Sequence, residues 1–111
     1  MIQQVRPSEL DAWLREQSAP GLVLDVREPE ELQLAGIRAD GFELLVMPMN
    51  EVPARVAELD PERPVAVLCH RGARSQRVAM YLASNGFGQV ANIAGGIDAW
   101  STERDALVPR Y

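Results

Sequence analysis

The chain has 111 residues, 47% of them apolar and 24% charged, with a formal charge of −5. That is the balance of an ordinary globular domain and excludes a disordered, highly charged chain. One cysteine and one histidine exclude an internal disulfide framework and a zinc finger, and the acidic sum argues against general affinity for nucleic acid.

The apolar pattern is read most simply in chain order. Met1 to Pro7 has no signal-peptide core, and no apolar run approaches the ~20 residues that span a bilayer; the expected location is the cytoplasm, away from membranes. Leu10, Trp13 and Leu14 recur at helical spacing after Pro7-Ser8 and predict a short amphipathic helix, broken by Pro20-Gly21. Leu22-Val23-Leu24-Asp25-Val26 has the continuous apolar character of a strand covered on both faces. Glu28 to Leu32 opens a second helix, with acids in the first turn where the helix dipole favours them. Leu44 to Met47 predicts a strand between turns marked by Gly36 and Gly41 and a helix that Asn50 would cap, reaching Leu59. Val65-Ala66-Val67-Leu68 is a second buried strand. A helix from about Ser75 to Asn85 follows, with Gly86 as its stop, then a strand over Val90–Ile93 and a short helical turn ending at Trp100. Strands alternating with helices define an α/β domain with a largely parallel sheet.

Charge is distributed unevenly along these elements. All eleven basic residues are arginine, which excludes Schiff-base lysine chemistry and the lysine-bearing phosphate loop. Residues 1–62 sum to −8, whereas residues 63–97 hold Arg63, Arg71, Arg74 and Arg77 and no acid. The cationic segment contains the only cysteine, in Cys69-His70-Arg71-Gly72-Ala73-Arg74-Ser75. Cys69 follows a buried strand and precedes a helix, the place where open α/β sheets bind ligands. A loop entering a helix there turns successive N–H groups and the positive end of the dipole toward one point. A thiolate in that cradle is a competent nucleophile, Arg71 and Arg74 suit a sulfonate-like anion, and Gly72 gives the loop conformational freedom. A lone cysteine can equally be a small inert core residue, but the cationic loop and its position favour the nucleophile. His70 either serves as a general base or, better suited to an immediate sequence neighbour, lends its backbone N–H to the cradle. Asp25 and Arg27 follow a central strand and are candidate rim residues; the alternative is a structural pair that organises the strand end.

The loop Cys69 to Ser75 resembles the active-site loop of rhodanese-type sulfurtransferases. Three further segments agree in order and spacing: Leu24-Asp25-Val26-Arg27-Glu28-Pro29-Glu30-Glu31, Val46-Met47-Pro48-Met49-Asn50, and Gly95-Gly96-Ile97-Asp98-Ala99-Trp100. The similarity runs from about residue 5 to residue 100 and leaves 101–111 as a short tail of a single domain spanning 1–111. It departs from the family at Ala35-Gly36-Ile37-Arg38, where a Gly-His-Ile-Pro run is common, and over Ala39–Leu45. The resemblance implies a five-stranded, mainly parallel sheet with helices on both faces. It also implies that Cys69 takes sulfane sulfur from thiosulfate or a similar donor as a persulfide and passes it to cyanide or a thiol, with His70, Arg71, Gly72, Ala73, Arg74 and Ser75 as the binding loop. No metal or organic cofactor is implied; a protein could serve as sulfur donor or acceptor. The alternatives are a carrier or sensing module that stores a persulfide without turnover, and a phosphatase of similar fold. The phosphatase requires five residues between cysteine and arginine, and Arg74 comes after only four.

Overall fold

The computed structural model describes residues 2–111, so Met1 lies outside it. Five strands form one fully parallel sheet: β1 (Gln3–Val5), β2 (Leu22–Asp25), β3 (Glu43–Val46), β4 (Val65–Leu68) and β5 (Val90–Ile93), in the order β1-β5-β4-β2-β3. The two runs read as strands covered on both faces, β2 and β4, are buried at every residue and lie side by side in the middle of the sheet. Burial on both faces removes the apolar alternation that a half-exposed strand would show.

Alternate residues of these strands feed two cores. On one face Val23, Ala66, Leu68, Ala91 and Ile93 pack with Leu10 and Trp13 of α1 (Leu10–Glu16) and with Ile97 and Trp100 of α5 (Gly96–Glu103). On the other, Leu22, Leu24, Val65 and Val67 pack with Val52 of α3 (Val52–Arg55) and with Val78, Ala79 and Leu82 of α4 (Ala73–Ser84). Helix α2 (Pro29–Leu34) buries none of its residues. It lies on the surface, where its carboxylates are free to meet other elements.

Four boundaries differ from the sequence expectations. Strand β1 was not expected: of its three residues only Val5 is buried, and it is held by pairing with β5. The helix expected over Asn50–Leu59 is a four-residue α3 between two 3-10 turns, Met49–Glu51 and Val56–Glu58. Helix α4 starts at Ala73, two residues early, because Gly72 takes the left-handed conformation at its N-cap. Helix α5 runs on to Glu103, and the segment after it packs back, with Val108 only 5% exposed in the first core. Among the described residues no helix is long and apolar enough to cross a membrane.

Candidate active site

Strand β4 ends at Leu68, and Cys69 follows it directly at 1% exposure. The loop from Cys69 to Gly72 is clamped by the start of α5. The Ile97 N–H donates to the Cys69 carbonyl at 2.9 Å and the Asp98 N–H to the His70 carbonyl at 3.1 Å. This close approach is possible because residue 96 is glycine. It has φ +58°, and a Cβ there would lie 2.4 Å from the His70 oxygen and 2.5 Å from the Cys69 oxygen. Gly72, with φ +109°, then turns the chain into α4.

Two donors converge on the sulfur. The Gly72 N–H and the Ser75 hydroxyl each lie 3.1 Å from Cys69 Sγ. Ser75 is completely buried, and its oxygen is also 2.6 Å from Asn92 Oδ1 on β5. Asn92 in turn donates to Gln4 Oε1 at 2.8 Å and to the Gly72 carbonyl at 3.2 Å. The sulfur therefore sits in an ordered polar pocket set into an apolar core, at the start of a 12-residue helix.

His70 makes no hydrogen bond to Cys69. Its ring is stacked on Tyr111, 3.9 Å between centroids and 9° between planes, and its Nε2 is 2.7 Å from the Tyr111 main-chain oxygen. Of the loop N–H groups, that of Gly72 reaches the sulfur.

The arginines of the cationic segment divide into two sets. Arg74 is held bidentate by Glu31 of α2 at 2.6 and 2.8 Å, so its charge, expected to face a small anion, is already matched. That contact, with a further hydrogen bond from Tyr111, holds the Glu31 carboxyl down at about 2, and it raises Arg74 above its ordinary value. Arg71 and Arg77 are exposed and form no ion pair with a described residue. Arg71 thus has no contact ion pair, although the Asp98 carboxylate lies within its field.

Asp25 and Arg27 are a buried structural pair at the end of β2, joined at 2.9 and 2.8 Å, with Arg27 also donating to the Ala35 carbonyl at 2.9 Å. They meet the rim through Glu31 and Tyr111: Arg27 Nη1 lies 3.5 Å from the Glu31 carbonyl and 3.2 Å from the Tyr111 hydroxyl, which donates to the Glu31 carboxylate at 2.6 Å. Three residues of the site, Glu31, Asn92 and Tyr111, were not singled out in the sequence. Only Asn92 carried a local signal, as a polar residue inside the apolar run Val90–Ile93; a buried amide needs partners. Among the described residues no group of His, Cys, Asp or Glu side chains is placed to hold a metal ion.

The site is thus a buried cysteine in a donor-lined loop between a central strand and a helix of a parallel α/β sheet. The family profile described as "Rhodanese-like domain" matches residues 6–103, and the chain belongs to that family. It is 41% identical over 93 residues to a rhodanese-like/PpiC domain-containing protein 12, chloroplastic, of Arabidopsis thaliana; the match covers 80% of this chain and spans only 30% of that protein's length. To a thiosulfate sulfurtransferase GlpE of Pseudomonas syringae pv. syringae it is 33% identical over 96 residues, covering 86% of this chain and 85% of the relative. A crystal structure of a rhodanese-like domain protein from Staphylococcus aureus superposes with a TM-score of 0.77 at 27% identity, covering 99% of both chains.

Proposed function

We propose that the chain is a sulfurtransferase in which Cys69 carries sulfane sulfur as a persulfide between thiosulfate, or a donor like it, and a small thiophilic acceptor. The observation that carries this reading is the convergence of the Gly72 N–H and the Ser75 hydroxyl on Cys69 Sγ at 3.1 Å. In the first half-reaction the Cys69 thiolate attacks the outer sulfur of thiosulfate. A new S–S bond forms, the original S–S bond breaks, and its electron pair leaves with sulfite. In the second, cyanide or a thiolate attacks the outer sulfur and the pair returns to Cys69. The donors at Cys69 Sγ stabilise the thiolate that attacks in the first half and leaves in the second, so they serve both halves. Neither half needs a metal or an organic cofactor.

Arg71, exposed and without a contact ion pair among the described residues, supplies the long-range attraction for a dianionic donor. Arg74, bound to Glu31, stiffens the loop against α2. That assignment also counts against phosphate chemistry, which would require the arginine following the cysteine to face the ligand. The domain, 1–111 as a unit, needs no second domain for this cycle, although a protein donor or acceptor suits it equally.

Intact mass after incubation with thiosulfate tests the reading: one sulfur added to the chain, removed again by cyanide with release of thiocyanate. Steady-state thiocyanate formation then separates an enzyme from a module that stores sulfur without turning over. Failure to gain any sulfur from thiosulfate or polysulfide would remove the sulfurtransferase reading.

A further inference from the structure

Beyond the residues matched by the family profile, the chain doubles back along α5 and brings Tyr111 onto the active-site loop. The Arg104 and Asp105 N–H groups both donate to the Trp100 carbonyl at 2.9 Å, which turns the chain. The Ser101 hydroxyl donates to the Val108 carbonyl at 2.6 Å, and the Val108 side chain is buried in the core. Arg110 then grips Asp98, in the first turn of α5, at 2.9 and 3.3 Å. These contacts deliver Tyr111 to His70, the residue next to Cys69. The Tyr111 ring lies flat on the His70 ring, and its hydroxyl reaches across to Glu31 of α2, the partner of Arg74, with Arg27 behind it. One side chain thus bridges the loop that holds the sulfur and the facing helix, beside a residue whose neighbour, Cys69, is 1% exposed.

We propose that Tyr111 selects the sulfur acceptor. Seated as it is, it leaves the outer sulfur of a Cys69 persulfide open to an acceptor the size of cyanide. A larger thiol reaches that sulfur only when the strap from Asp105 to Tyr111 lifts. The proposal rests on the sulfurtransferase reading above for its chemistry, but the gate itself is a matter of geometry. Its latch is chemically stable at ordinary pH: burial pushes the Tyr111 phenol up from its usual value, so it stays a donor, while Glu31 stays an ionised acceptor. The transfer balances for either acceptor. A thiolate or cyanide forms a bond to the outer sulfur, the S–S bond breaks, and Cys69 recovers the electron pair as thiolate.

The test compares the parent with Tyr111→Ala, Tyr111→Phe and Arg110→Ala, using thiosulfate as donor and either cyanide or glutathione as acceptor. The ratio of kcat/KM for glutathione to that for cyanide reports attack on the persulfide form alone. It should rise by at least about tenfold in Tyr111→Ala. It should move the same way, by less, in Tyr111→Phe, which keeps the stack but loses the bond to Glu31, and in Arg110→Ala, which loosens the strap from outside the site. A second readout needs no turnover. Because Cys69 is the only cysteine in the chain, its alkylation by iodoacetamide and by a bulky maleimide measures access directly, and the maleimide rate should gain more on loosening the strap. If both ratios stay within twofold of the parent in all variants, Tyr111 is packing and not a gate. If Tyr111→Ala does not fold, the other two variants decide. If the parent takes up no sulfur while the alkylation ratio still shifts, the gate stands and the sulfurtransferase reading fails.

Discussion

Replacing Ser75 with alanine removes one hydroxyl, and the structure assigns that hydroxyl two separable consequences. Its oxygen is 3.1 Å from Cys69 Sγ and 2.6 Å from Asn92 Oδ1, yet a hydroxyl has only one hydrogen to donate. The Asn92 amide nitrogen already faces the Gln4 and Gly72 oxygens, so its carbonyl oxygen accepts from Ser75 when Cys69 is a thiol. On ionisation the Ser75 proton turns to the sulfur and joins the Gly72 N–H. A hydrogen bond to a charged group contributes about 1.5–3 kcal/mol, and the bond given up at Asn92 offsets part of it, so Ser75→Ala should lower kcat/KM for thiosulfate by up to about tenfold. Separately, the variant strands Asn92 Oδ1, which is buried with its residue 3% exposed. An unsatisfied buried acceptor costs about 1–3 kcal/mol, and each kcal/mol lowers the melting temperature of a domain of this size by about 4–8 °C. Thiocyanate formation and a thermal melt on the same preparation read the two effects independently. Parental kinetics with a lowered melting temperature would refute the role at sulfur. A parental melting temperature with slowed kinetics would refute the proton-sharing account of Asn92.

Other outcomes follow from the same contacts. Cys69→Ser should abolish sulfur uptake in intact mass while preserving the circular dichroism spectrum, since a hydroxyl is hardly ionised near neutral pH and is a poor nucleophile. Gly96→Ala should destabilise the domain by about 2–4 kcal/mol, because the new methyl meets the Cys69 and His70 carbonyls at a positive φ; denaturant unfolding measures it. Arg71→Ala should raise KM for thiosulfate severalfold at low ionic strength and flatten its salt dependence, whereas Arg77→Ala, farther along α4, should do less. The Glu31 carboxyl lies at about 2 in the folded chain against an ordinary 4.5, so its contribution is complete above the ordinary value and is lost as pH falls toward 2. With solvent screening allowed for, this amounts to about 1–2 kcal/mol, and Glu31→Gln should flatten the acid limb of stability between about pH 5 and 2 in urea titrations.

What could be read in the sequence was what local pattern encodes. The apolar runs at 22–26 and 65–68 located the two central strands because burial on both faces leaves no other pattern, and the cysteine after the second fell at the carboxyl edge of the sheet. Strand β1 escaped because Gln3 and Gln4 are exposed and the pairing to β5 is made across some 88 residues of chain. The start of α4 was placed late because no Ser, Thr, Asn or Asp caps it; the left-handed Gly72 does that work through backbone geometry alone. Glu31 read as an acid favouring a helix start, which it also is, since it accepts from the Glu28 N–H at 3.3 Å. Its bonds to Arg74, 43 residues away, and to Tyr111, 80 residues away, depend on tertiary placement that no spacing rule supplies.

The same long-range pairing alters what the cationic segment means. Four arginines without an acid look in sequence like a surface built to gather anions, yet Arg63 is tied to Glu43 at the far end of the sheet and Arg74 to Glu31 beside the loop. Two matched charges leave Arg71 and Arg77, both on the solvent side. The sulfur itself is therefore held by neutral donors, the Gly72 N–H and the Ser75 hydroxyl, with the first turn of α4 behind them. Neutral, buried donors are scarcely screened by salt, whereas an exposed guanidinium is. On the sulfurtransferase reading proposed above, capture of a small anionic donor would thus fall to Arg71, acting at a distance, and stabilisation of the Cys69 sulfur to the loop donors that touch it.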